Sequence, residues 1–144
     1  MKTFVVFAGS IILVSILFCP MVMAAPPMPD DLQMVQPDSS LSKELSAFFG
    51  KWEGTGRIAY FLIVEKIDEE KGSLYIWEVA STESASAPMW IRYEAQVIKE
   101  GRKYKLIYRG RYGSCDLTLK GEVLNWSRSS GGGGSESVRL KRVQ

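Results

Sequence analysis

The sequence predicts an all-β chain, an eight-stranded antiparallel up-and-down barrel entered through one short N-terminal helix. Three observations predict it. From residue 51 onward, apolar and polar residues alternate with the two-residue period of strands. Clusters rich in Gly, Ser, Asp, Glu and Lys interrupt that alternation at short intervals. The segments so defined number eight, which is the count that closes a small barrel and removes exposed sheet edges.

The first 24 residues read as an address. Lys2 supplies a single positive charge, Phe4 to Cys19 is an uncharged apolar run, Pro20 breaks it, and Val22-Met23-Ala24 places small residues at a cleavage position. This pattern predicts a secretory signal peptide cut after Ala24. The run is shorter than the roughly 20 residues that span a bilayer comfortably. The expectation is therefore a secreted or periplasmic protein that is not an integral membrane protein once the signal is removed. Cleavage leaves 120 of the 144 residues, the size of one domain, with 17 basic against 16 acidic side chains. So even a balance gives no pull toward nucleic acid. Cys19 departs with the signal, and Cys115 remains as a lone thiol. Its alternation with Leu117 and Leu119 predicts burial as a small apolar residue.

Residues 25–40 carry Pro26, Pro27, Pro29 and Pro37 among polar residues, which predicts an extended arm or linker. Ser39 or Ser40 can cap a short helix with apolar positions Leu41, Leu45, Phe48 and Phe49, stopped by Gly50. Such a helix can lie across one end of the barrel, and residues 41–144 form the barrel domain. The expected strands are 51–57, 59–67, 73–80, 89–99, 103–110, 112–119, 122–128 and 137–143. Alternation assigns an inner face to Met89, Ile91, Tyr93, Ala95 and Val97, to Tyr104, Leu106 and Tyr108, to Cys115, Leu117 and Leu119, to Leu124 and Trp126, and to Val138 and Leu140. The second and third strands are apolar on both faces (Phe61 and Ile63 against Leu62 and Val64; Leu74 and Ile76 against Tyr75 and Trp77). That two-sidedness predicts an additional packing surface, such as a subunit contact.

Gly50-Lys51-Trp52, at the mouth of the first strand of a small exported β domain, resembles the signature of lipocalin-like, calycin-type barrels, here in the form of a small secreted bacterial domain. The resemblance covers roughly Leu41 to Val143. It implies that Trp52 packs into the closed end with a basic side chain from the end of the last strand across its ring. In an eight-stranded meander that residue is Arg142, so Gly50, Trp52 and Arg142 are the expected barrel-closing residues. It also implies a barrel that holds ligands and rarely catalyses. The family's middle Thr-Asp-Tyr-type segment and its disulfide are missing from this chain.

The inventory of reactive groups agrees with a non-enzymatic function. The chain has no histidine, which removes the usual general base, the usual metal ligand and the Ser–His and Cys–His nucleophile pairs. No metal or cofactor is implied. Glu94 and Asp116 alternate outward, whereas Glu65 stands in an apolar strand of open orientation. Gly131 to Gly134 lacks the Lys-Ser/Thr and following helix of a phosphate loop and reads as a flexible hairpin. The basic run Lys99 to Arg111 puts its charges and its tyrosines on opposite faces, which suits a solvated surface better than stacked nucleic-acid bases.

Two functions remain. In the first, the barrel binds a small lipophilic molecule against Trp77, Met89, Ile91, Tyr93, Tyr104, Leu106, Tyr108 and Trp126, driven by apolar burial. In the second, it is a protein-binding module that meets an envelope protein partner. One form would be a periplasmic protease inhibitor whose Pro-rich arm enters an enzyme cleft, and the other an accessory domain of a hydrolase.

Overall fold

The computed structural model describes residues 25–56, 58–78, 87–111 and 113–144. The expected signal segment, with Cys19, lies outside the described residues. The chain forms helix α1 (Lys43–Ser46) and strands β1 (Gly50–Thr55), β2 (Ala59–Ile67), β3 (Lys71–Glu78), β4 (Met89–Glu100), β5 (Lys103–Gly110), β6 (Gly113–Lys120), β7 (Val123–Ser129) and β8 (Ser135–Val143). Each strand pairs antiparallel with the next, and β1 pairs with β8 through Lys51–Val143, Trp52–Arg142 and Glu53–Lys141, so the meander closes into a barrel in sequence order.

Direct pairs across the ladders confirm the inner face read from alternation in β4 to β8. Val97 faces Leu106, Tyr108 faces Cys115, Leu117 faces Trp126, and Leu124 faces Leu140. β2 and β3, which alternation left unoriented, send Leu62, Val64, Leu74 and Ile76 inward. A bulge in β2 follows Val64: the next pairs are Val64–Leu74 and Lys66–Ser73, so Glu65 is the extra residue. The bulge puts Glu65 and Lys66 both outside and returns Ile67 to the core, which explains the three-residue spacing of apolar positions there.

The helix is shorter than its apolar spacing suggests. Asp38 accepts hydrogen bonds from the Ser40 amide (2.8 Å) and hydroxyl (2.7 Å), and the Leu41 amide donates to the Asp38 carbonyl (3.0 Å). This turn uses the residues that would have begun the helix. Ser42 caps it instead, its hydroxyl accepting from the Leu45 amide. Leu41, Leu45 and Phe48 are buried in the barrel's core cluster, so α1 plugs that end.

The second apolar face of β2 and β3 is covered by the chain's own arm. Residues 27–35 run across the outside of β2, β3 and β4. The Val35 amide donates to the Glu65 carbonyl (2.8 Å) and the Gln33 amide to Glu65 Oε2 (3.1 Å). Trp90 Nε1 donates to the Pro27 carbonyl (2.6 Å), and Arg92 bonds the Asp31 carbonyl (3.0 Å) and pairs with its carboxylate. Beneath the arm, Ile63 and Tyr75 are buried, and Trp90 stands edge-on to both Tyr75 and Trp77. Glu65 is 5% exposed, held by Ser73 Oγ (2.6 Å) and Arg92 Nε (2.9 Å). Its orientation is therefore outward yet buried, a combination the sequence reading did not include.

Candidate functional site

Strand directions divide the barrel into two unlike ends. The turns at 68–70, 101–102 and 121–122 lie at the α1 end, and the last residues of β1, β3, β5 and β7 with the first residues of β2, β4, β6 and β8 mark the opposite end. At the first end, Trp52 Nε1 donates to the Phe48 carbonyl (2.9 Å), and the Arg142 guanidinium carbon lies 4.3 Å from the indole centroid. Arg142 also donates to the carbonyls of Phe49 and Ala47 (2.6 Å for the latter), which the end of α1 leaves without helical partners. Gly50 has φ +123°, and a Cβ there would stand 2.6 Å from Arg142 Nη1. Gly50, Trp52 and Arg142 thus form one assembly that closes this end.

Above that seal the interior is filled. Leu74, Ala95, Leu106, Leu117 and Leu124 are each 0% exposed, so no water-sized gap touches them. The inward side chains that are polar or half-buried lie toward the other end.

There the inward side chains form a continuous aromatic and polar cup. Tyr93 packs on Tyr108 with centroids 5.1 Å apart, Trp126 Nε1 donates to the Tyr108 hydroxyl (2.7 Å), and Tyr60 packs on Trp126 at 5.5 Å. A carboxylate ends each arm of this chain of rings. Tyr93 donates to Glu78 Oε1 (2.6 Å), and Tyr60 donates to Glu136. Arg128 pairs with Glu136 Oε2 at 2.7 Å and lies 5.7 Å from the Trp126 ring. Glu78 Oε2 is buried with no hydrogen-bond partner. Burial raises the phenol pKa values of Tyr108 and Tyr93, the latter helped by the Glu78 carboxylate. The Cys115 thiol, beside Tyr108, is also pushed up by burial. These groups stay protonated near neutrality.

Of the eight residues proposed from sequence as ligand contacts, the structure brings Tyr93, Tyr108 and Trp126 together in the cup. Ile91 shares their face, and Met89, 54% exposed, stands at the rim. Leu106 is packed deep in the core, and Tyr104 lies at the α1 end beside Lys99. Trp77 is on the outside of the barrel, paired with Trp90, because its neighbour Ile76 points inward. Tyr60, Glu78, Arg128 and Glu136 were missed. Their signal was the same alternation carried one step further: 124, 126 and 128 share a face, as do 136, 138 and 140.

Among the described residues no group of three His, Cys, Asp or Glu side chains is placed to hold a metal ion, and no helix is long and apolar enough to cross a membrane. Comparisons with protein-family models, with curated proteins and with solved structures find no match.

Proposed function

We propose that this chain is an exported, non-enzymatic, lipocalin-like barrel that binds a small lipophilic ligand at the end away from α1. One observation carries the reading: the barrel is packed to 0% exposure through its middle and sealed around Trp52, while at its far end the buried rings of Tyr108 and Trp126 and the half-buried rings of Tyr60 and Tyr93 are linked to charged groups. A barrel that served only as a stable fold would gain most by filling both ends alike with aliphatic side chains. Buried polar groups without full partners reduce stability and concentrate at binding sites. The Gly50-x-Trp52 and Arg142 arrangement at the sealed end agrees with the same reading.

The alternative, an arm that enters an enzyme's cleft, has less support. Residues 27–35 make their hydrogen bonds to the outer face of their own barrel.

Native mass spectrometry of the protein, purified under mild conditions from the envelope fraction of its host, tests the proposal. A co-purifying mass of lipid size supports it. A bare monomer that also fails to take up any amphiphile in titration would overturn it.

A further inference from the structure

The chemistry of the cup selects among lipophilic ligands by head group. We infer that the ligand carries a hydrogen-bond-donating, preferentially cationic head, such as a primary amine, which docks on Glu78, with the apolar body lying against Tyr93, Tyr108 and Trp126. This inference rests on the ligand-binding reading above and goes beyond it by naming the ligand's polar class.

The argument is one of hydrogen-bond capacity. A carboxylate only accepts, through about four lone-pair positions. In the cup, the donors are engaged: Tyr93 to Glu78, Tyr60 and Arg128 to Glu136, and Trp126 to Tyr108. The Tyr108 hydroxyl, which accepts from Trp126, faces the buried Cys115 across the β5–β6 ladder. What remains is acceptor capacity, and Glu78 Oε2 holds the clearest share, since no donor among the described residues reaches it. Glu78 is only half-buried, and the last torsion of a glutamate is soft. The carboxylate can therefore turn to meet a donor that a ligand supplies.

Charge points the same way. Among the described side chains of the cup, Arg128 pairs with Glu136, whereas Glu78 forms no ion pair and receives only the neutral Tyr93 hydroxyl. An anionic head such as a fatty acid's would need an arginine to receive it, and Arg128 is already paired with Glu136 at 2.7 Å. The faces of Tyr93, Tyr108 and Trp126 favour a cation further, because aromatic quadrupoles attract positive charge.

The test is a set of titrations of the purified protein with dodecylamine, dodecyltrimethylammonium, dodecanol and laurate, below their micelle concentrations, followed by calorimetry at pH 7. The amine is expected to bind at least about tenfold more tightly than laurate, the size of one charge-assisted hydrogen bond. The trimethylammonium probe, which keeps the charge but has no N–H, should fall between them. In Glu78→Gln, the advantage of the amine over dodecanol should shrink to within about threefold. The wild-type comparisons need no variant to fold, so they stand even if Glu78→Gln is unstable. Laurate binding as tightly as the amine overturns the head-group assignment and leaves the carrier reading intact. So does a folded Glu78→Gln that keeps the full preference. Failure of all four probes to bind overturns both.

Discussion

Replacing Tyr108 with Phe isolates one interaction of the cup. The ring stays, so its packing on Tyr93 at 5.1 Å is kept, and only the hydroxyl that accepts from Trp126 Nε1 at 2.7 Å is lost. Both residues are buried, so water cannot replace the missing acceptor, and an indole N–H is left unpaired. Leaving a buried donor unsatisfied costs about 1–3 kcal/mol. With a urea m-value of about 1.5 kcal/mol/M, the unfolding midpoint should drop by about 1 M. Equilibrium urea unfolding by far-UV circular dichroism measures it. The double variant Tyr108→Phe/Trp126→Phe removes both partners and leaves no orphan. Its loss should be smaller than the sum of the two single losses by about 1 kcal/mol. A Tyr108→Phe protein within about 0.5 kcal/mol of wild type, or strict additivity in the cycle, would show that the bond does not organise the cup.

Three further outcomes are expected. Gly50→Ala should destabilise the fold by about 2 kcal/mol through backbone strain and the collision with Arg142, and part of that loss should vanish in an Arg142→Ala background; thermal melts of the variants check it. Deleting residues 25–36 uncovers Ile63 and Tyr75 on the outside of the barrel, which should lower stability by about 2 kcal/mol and raise dye binding to exposed apolar surface; an unchanged melting temperature would show that the arm is dispensable. Burial, with the Asp31 carboxylate adding to it, raises the Tyr75 phenol from 10.0 to about 12. Its stabilising contribution is complete below pH 10, where the phenol is protonated in both folded and unfolded chains, and is lost as pH rises toward 12, where only the unfolded chain has released its proton. The urea midpoint should therefore fall across that window, and Tyr75→Phe should flatten the fall.

Strand number, order and most inner faces were legible because a half-buried strand repeats every two residues and the turns between these strands are marked by Gly, Asp and Ser. Two features hid β2 and β3. The arm buries their outer face, which erases the polar half of the alternation at Ile63 and Tyr75, and the Glu65 bulge shifts the parity in mid-strand. Neither can be read locally, since each depends on contacts between residues about 30 or more apart, such as Gln33 with Glu65 and Trp90 with Pro27. The cup was half legible for a different reason. Apolar candidates were sought for a lipophilic ligand, and that criterion found Tyr93, Tyr108 and Trp126 but passed over Glu78, Arg128 and Glu136, which sit one alternation step nearer the loops. It also counted Trp77 and Leu106 as wall residues because composition alone does not separate a lumen from an outer face or a filled core.

The same bonding pattern bears on how the polar groups at the two ends differ. At the α1 end, Arg142 meets the carbonyls of Ala47 and Phe49, groups that would otherwise lack partners, so its polar contacts complete the fold. In the cup, the polar groups satisfy one another nearly but not fully: Tyr93, Tyr60 and Arg128 supply Glu78 and Glu136, yet one buried oxygen of Glu78 receives nothing. Replacing Glu78 with leucine and Tyr93 with phenylalanine together would remove that unmet acceptor without orphaning the Tyr93 hydroxyl and would add apolar burial. On packing grounds alone, the double variant should therefore leave stability unchanged or raise it. A double variant at least as stable as wild type that no longer binds dodecylamine would place Glu78 in the barrel for its ligand. A less stable one would make the Glu78–Tyr93 pair a structural contact.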